Sequence, residues 1–123
     1  MRFRILFISG CLDDARRLSQ MLQPLPVELD RAQSLRQARN MLETRSYRVI
    51  LTSALLPDAT WLDVLETAGP VPVIVTDPQA DARLWSEVLN RGGYDLLAQP
   101  FYAPEVRRVL GNAAARPLAM AAV

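Results

Sequence analysis

The chain has 123 residues, enough for one domain with its own hydrophobic core. Half of the residues are hydrophobic and the net charge is +1, so no strong field favours nucleic acid or an anionic membrane. All 14 basic residues are arginine, and without histidine the chain lacks the commonest general base and metal ligand. The single cysteine, Cys11, excludes an internal disulfide and favours the cytoplasm, and no apolar run is long enough to span a membrane.

Hydrophobic periodicity predicts five strands that alternate with five helices. The predicted strands cover residues 4–9, 27–30, 49–51, 71–76 and 94–98. The predicted helices cover residues 12–22, 35–44, 61–69 and 78–90, and a last helix begins at Pro104. Strict alternation implies a parallel sheet with helices on both faces. The domain is predicted to span residues 1–112, and residues 113–123 are predicted to be a C-terminal tail or linker stub.

The central stretch, residues 47–65, is the most informative. Its apolar run over residues 49–51 is typical of a strand that is buried on both faces. The chain then passes through Ser53 and a Pro-Asp turn into an amphipathic helix. Ligands of open α/β sheets bind outside the carboxyl ends of the strands, so Ser53 marks the expected site.

Three short motifs narrow the fold further. Leu-Leu-Pro-Asp at residues 55–58 follows the third strand, Pro-Val-Ile-Val at residues 72–75 forms the fourth, and Gln-Pro-Phe at residues 99–101 follows the fifth. In this order and spacing the chain resembles the receiver domains of bacterial response regulators. The resemblance implies a three-layer α/β/α, flavodoxin-like (CheY-like) sandwich with a five-stranded parallel sheet of order 2-1-3-4-5. It also implies two-component signal transduction, or a phosphorelay, in the bacterial cytoplasm.

The residues that carry phosphotransfer in receivers are replaced in this chain. The resemblance places the phosphoacceptor aspartate at Ser53 and the acidic pair that holds Mg²⁺ at Ser9 and Gly10. The degenerate switch positions that it implies are Asp77, Leu96 and Gln99, and the resemblance assigns a lysine to the position of Gln99. A cis peptide bond is expected at Pro100. An acyl phosphate requires a carboxylate nucleophile, and Mg²⁺ prefers carboxylate oxygens. We therefore expect no phosphorylation, no metal or other cofactor, and no enzymatic activity.

Several of these residues have simpler interpretations. Asp77 is either a phosphate mimic or, with Pro78, the N-cap of the fourth helix. Ser53 is either a substrate of a serine kinase or a satisfied hydroxyl. Trp61 and Trp85 are each either interface anchors or lids on the core.

Asp13 and Asp14 form an acidic pair four residues beyond Ser9 and Gly10, and they could be a displaced metal site. Both residues fall in the first turn of the predicted first helix rather than at a strand end. Acidic residues there commonly cap the helix and suit its dipole. The sequence therefore favours a capping role for this pair.

These observations predict a degenerate receiver, or pseudo-receiver, that acts by phosphorylation-independent protein–protein interaction. Its expected working surface is the fourth helix, fifth strand and fifth helix, with Trp85, Arg91 and Arg107 at an interface with a protein partner or a second copy. One alternative is a conventional phosphorelay receiver with an atypical site. Another is a small flavodoxin-like enzyme or nucleotide binder, although only Gly10 stands where a Gly-rich phosphate loop would follow the first strand.

Overall fold

The computed structural model describes residues 2–115, and within them five strands alternate with five helices. The strands are β1 (Phe3–Ile8), β2 (Val27–Ala32), β3 (Val49–Ser53), β4 (Val73–Asp77) and β5 (Asp95–Ala98). The helices are α1 (Leu12–Leu22), α2 (Leu35–Thr44), α3 (Trp61–Ala68), α4 (Ala82–Asn90) and α5 (Ala103–Ala115). No helix within residues 2–115 is both long enough and apolar enough to cross a membrane.

All strand pairs are parallel, and the sheet order is β2-β1-β3-β4-β5. This confirms the predicted three-layer α/β/α flavodoxin-like class. The central strands are the most deeply buried because helices cover both of their faces. One core lies between the sheet and helices α1 and α5, and two others lie beneath α2, α3 and α4.

Helix α4 begins later than the sequence predicts. The predicted N-cap, Asp77, is the last residue of β4, and its Oδ2 accepts a hydrogen bond from the backbone N–H of Gln79 at 3.1 Å. The observed N-cap is Asp81, whose Oδ1 accepts from the N–H of Leu84 at 2.8 Å. Both aspartates are suitable N-caps for this helix, but Asp77 closes a turn directly after β4 instead.

The two tryptophans have different environments. Trp61 is 7% exposed and packs in the core beneath α3 and α4 with Ala54, Val75 and Leu96, so it is a lid on the core. Trp85 is 47% exposed on α4, where Val88 is the buried residue. Because α4 packs on the sheet through one buried stripe, the rest of its apolar surface faces outward.

The last helix extends beyond the predicted domain boundary. Ala113 and Ala114 are buried against the core, and the carbonyl of Ala114 accepts a hydrogen bond from Arg48 Nε at 2.8 Å. The first three residues of the predicted tail therefore continue α5. The remainder of that predicted tail, residues 116–123, lies outside the described residues.

Candidate functional site

Strand pleating brings hydroxyl side chains together at the carboxyl end of the sheet. Leu51 of β3 and Ile74 of β4 point into the core beneath α1 and α5. Side chains two residues apart share a face, so Ser53 and Thr76 extend this face at the strand ends. The two residues are also direct partners in the β3–β4 register.

This register corrects the assignment of a switch position to Asp77. Thr76, not Asp77, lies beside Ser53. Asp77 is two residues beyond Val75, which packs in the core beneath α3 and α4, so its side chain leaves the opposite face of the sheet. Spacing along the sequence leads to Asp77, whereas the register of the strands places Thr76 beside Ser53.

Thr76 was missed by sequence reasoning, although it ends the apolar run of the fourth strand. Its hydroxyl is completely buried and has no hydrogen-bond partner among the described residues. Buried polar groups without partners are rare in folded proteins because leaving one unpaired is costly. The hydroxyl therefore adds polarity to this end of the sheet but no charge.

The loop that follows β1 supplies no carboxylate. Ser9 is buried, and its Oγ accepts a hydrogen bond from the backbone N–H of Cys11 at 3.1 Å. Gly10 lies against the loop after β3, where a Cβ atom at its position would stand 3.6 Å from Pro57 Cγ. Within residues 2–115, no group of three or more His, Cys, Asp or Glu side chains is arranged to hold a metal ion. The residues at the strand ends therefore do not fit the Mg²⁺ site of a receiver.

Asp13 and Asp14 have other roles than metal binding in the structure. The N-cap of α1 is Cys11, an exposed residue, rather than Asp13, which lies 3.8 Å from Arg16 in an exposed ion pair. Asp14 Oδ2 accepts a hydrogen bond from Gln99 Nε2 at 2.8 Å. Gln99 stands at the position that the resemblance assigns to lysine, so a neutral amide links the loop after β5 to helix α1.

Leu96 and the cis-proline position have structural roles in this chain. Leu96 is buried beside Trp61 in the core beneath α3 and α4. The peptide bond between Gln99 and Pro100 is cis. The adjacent Phe101 packs edge-on against Phe7, with 6.4 Å between the ring centroids.

Asp58, the last residue of the Leu-Leu-Pro-Asp motif, caps α2 from the loop after β3. Its two carboxylate oxygens accept hydrogen bonds from the N–H groups of Leu35 and Arg36, each at 3.0 Å. Ser34, the N-cap of α2, accepts from the N–H of Gln37 at 3.2 Å. The backbone donors that open α2 are thus satisfied by two side chains, one of which comes from the site loop.

These contacts predict how stability responds to pH. Hydrogen bonds from Leu35 and then Arg36 hold the pKa of Asp58 below its ordinary value. A carboxylate with a depressed folded-state pKa stabilises the protein above its unfolded-state pKa, and this contribution is lost as the pH falls through the folded-state value. We expect Asp58→Ala to lower the thermal midpoint at neutral pH, and the difference from wild type to shrink below about pH 4.

Thermal denaturation at several pH values measures this effect. The matched control is Glu87→Ala, which removes an exposed carboxylate from the middle of α4 and should leave the midpoint nearly unchanged. A difference between Asp58→Ala and wild type that stayed constant under acidification would contradict the capping role.

The three residues expected at an interface have different surroundings. Trp85 is exposed, and its indole N–H donates to Asp95 Oδ1 at 3.2 Å. Arg91 lines a shallow cleft of about 250 Å³ beside Leu62 of α3. Arg107 Nε donates to the Met21 carbonyl of α1 at 2.9 Å, which holds this side chain on the α1 side of α5.

No protein-family model and no curated protein sequence matches the chain. Solved structures do match it. A protein assigned as a response regulator from Chloroflexus aurantiacus is 20% identical, with a TM-score of 0.86 over 94% of this chain and 100% of that one. The receiver domain of a sensor histidine kinase from Pseudomonas aeruginosa, which holds a magnesium ion in its active-site cleft, is 22% identical, with a TM-score of 0.81 over 94% of this chain and 100% of that one.

A third similar structure is the beryllofluoride-activated NtrC4 receiver domain, which is a dimer. It is 21% identical, with a TM-score of 0.80 over 89% of this chain and 94% of that one. At these identities the likeness establishes the fold. The chain therefore has the fold of response-regulator receiver domains.

Proposed function

We propose that the chain is a pseudo-receiver that works in two-component signalling by protein–protein interaction without being phosphorylated. The observation that carries the proposal is the lack of a carboxylate at three positions on the carboxyl end of the sheet. Ser53, Ser9 and Gly10 stand at the positions of the three carboxylates that phosphotransfer needs. Without those charges the site has neither a nucleophile for an acyl phosphate nor oxygen ligands for Mg²⁺.

The link between Gln99 and Asp14 supports the same proposal. The amide of Gln99 donates to a carboxylate of α1 and carries no positive charge with which to neutralise a phosphoryl group. No lysine elsewhere in the sequence could replace it. The contact that holds the loop after β5 to α1 therefore involves no phosphoryl group.

The working surface is proposed to be the α4–β5 face, defined here by Trp85, Leu89 and Asp95. Trp85 and Leu89 are exposed large apolar side chains, and the bond from Trp85 to Asp95 fixes the indole against the edge strand. A fixed, half-exposed tryptophan is typical of an interface anchor. The dimeric state of the similar NtrC4 receiver domain makes a second copy of this chain the first partner to test.

We expect the chain to form a weak dimer through this face. The exposed apolar area is small, so the dimer should be weak, with a dissociation constant of roughly 10 µM, which corresponds to about 7 kcal/mol. Trp85→Glu should then give a monomer that keeps its fold, because the substituted side chain is already half-exposed. Light scattering coupled to size exclusion measures the mass, and circular dichroism checks the fold.

The matched control is Leu12→Glu, which places the same charge on another apolar residue that is 47% exposed. This variant should dimerise like wild type.

In a parallel sample of wild type with acetyl phosphate and Mg²⁺, the intact mass and the dimer fraction should both stay unchanged. A monomeric wild type at several times the expected dissociation constant would overturn self-association, and a labile phosphate adduct would overturn the pseudo-receiver.

A further inference from the structure

A groove of about 450 Å³ opens at the amino end of the sheet, opposite the site at the carboxyl end. Phe3 and Arg4 at the start of β1 form one wall, and Glu28 of β2 lies beside them. Tyr47 and Arg48, from the loop between α2 and β3, form the other side. Its volume is within the range of small-molecule sites.

The groove is strongly basic for a chain that is almost neutral. Arg2, Arg4 and Arg48 line it, and Glu28 is the carboxylate among its lining residues. Arg4 and Glu28 approach to 3.5 Å in an exposed pair, which is worth little in water. Among the described residues that line the groove, two positive charges therefore remain without a matching negative charge.

The nearby carboxylate of Asp30 does not supply the missing charge. Its Oδ2 accepts hydrogen bonds from the Tyr47 hydroxyl at 2.7 Å and from Arg45 Nη1 at 2.9 Å. Burial, followed by the bond to Asp30, raises the pKa of Tyr47 to about 12. Tyr47 is 2% exposed and stays neutral at physiological pH, so the floor of the groove is an uncharged ring.

Arg48 is oriented before any ligand arrives. Its Nε donates to the Ala114 carbonyl at 2.8 Å, and its guanidinium carbon stands 5.0 Å from the centroid of the Phe3 ring. This hydrogen bond uses Nε and leaves the two Nη groups as donors. A guanidinium held in this way loses little entropy on binding and presents a fork that suits the oxygens of an anion.

We propose that this groove binds a small organic molecule through a phosphate monoester. Such a group carries a charge of about −1.5 to −2 at pH 7, which matches the two unbalanced arginines, whereas a single carboxylate carries only one charge. The half-buried ring of Phe3 provides an apolar surface for the organic part of the ligand. The groove and its ligand are independent of the α4–β5 face and of the state of Ser53.

Titration of the full chain with adenosine monophosphate, followed by amide NMR shifts, tests this assignment. We expect saturable shifts at Phe3, Arg4 and Arg48, with a dissociation constant of roughly 1 mM or lower. Adenosine, which lacks the phosphate, should produce no comparable shifts. Inorganic phosphate should shift the same amides more weakly, because it lacks the organic part.

Arg4→Ala should weaken binding by roughly tenfold or more, since it removes a guanidinium that is otherwise held only by an exposed ion pair. Arg17→Ala, which removes an exposed arginine of α1, should bind like wild type. Arg48→Lys is the second variant, because it keeps the charge and loses the fork, and it should also bind more weakly. Absence of saturation, equal shifts with adenosine, an unchanged affinity in Arg4→Ala, or shifts centred on Gly10 and Ser53 would each overturn the proposal.

Discussion

Magnesium should bind to a variant in which Ser9, Gly10 and Ser53 are all replaced by aspartate. The backbone already has the receiver fold. Ser9 directly follows β1 and Ser53 ends β3, and these neighbouring parallel strands end at the same edge of the sheet. A side chain fits at Gly10, because a Cβ atom there would meet Pro57 at an ordinary contact distance of 3.6 Å. Three carboxylates supply the hard oxygen ligands that Mg²⁺ prefers.

The same variant should be less stable than wild type without metal. Ser9 is buried, and three like charges at one strand edge repel one another and lose hydration. Saturating Mg²⁺ should restore stability, with a gain of about 2.7 kcal/mol at a hundredfold excess over the dissociation constant. Thermal denaturation with and without MgCl₂ measures the gain, and calorimetric titration gives the stoichiometry.

Wild type is the control, and its thermal midpoint should not respond to Mg²⁺ beyond the effect of ionic strength. Ser53→Asp alone should respond only weakly, because one carboxylate is a poor site for this cation. A specific Mg²⁺ response of wild type would show that other residues replace the missing pair. A triple variant that stayed folded and did not bind Mg²⁺ would show that the backbone at these strand ends departs from a receiver.

Gly93→Ala should destabilise the domain by about 2 kcal/mol, as expected for overpacking in a filled core. Gly93 connects α4 to β5, and a Cβ atom there would stand 2.4 Å from Val88 Cγ1 and 2.9 Å from the Val88 carbonyl oxygen. Val88 is fully buried, and its carbonyl accepts a hydrogen bond from the Gly93 N–H at 2.8 Å. The clash therefore involves backbone and core, and neither can move without disturbing the other.

Gly111→Ala is the matched control for this substitution. Gly111 lies in α5, and a Cβ atom there would meet nothing within 4 Å. Alanine favours helix over glycine by about 1 kcal/mol at an exposed position, so this variant should be as stable as wild type or more so. Equal midpoints for the two variants in urea denaturation would contradict the close approach at Gly93.

Much of the fold follows from the sequence alone. The apolar runs of β1, β3 and β4 are buried on both faces, and runs of this kind alternating with amphipathic helices favour a parallel sheet covered on both sides. The lack of carboxylates at Ser9, Gly10 and Ser53 was also predictable, since residues at the ends of such strands are placed by counting along the chain. Ser53 and Gly10 lie where that count puts them.

The tertiary structure decided which residues become partners. Thr76 rather than Asp77 lies beside Ser53 because the strand register sets the neighbour, and a shift of one residue changes the face. The choice between Asp77 and Asp81 as the N-cap of α4 depends on where β4 ends, and local propensity does not distinguish the two residues.

Contacts between segments that are distant along the chain were the hardest to predict from the sequence. Gln99 reaches Asp14 across 85 residues, and Arg107 reaches the carbonyl of Met21 across 86, because helices α1 and α5 cover the same face of the sheet. The different burial of Trp61 and Trp85 has a similar origin. Both stand on amphipathic helices, and only the packing of α3 and α4 on the sheet determines which ring the core encloses.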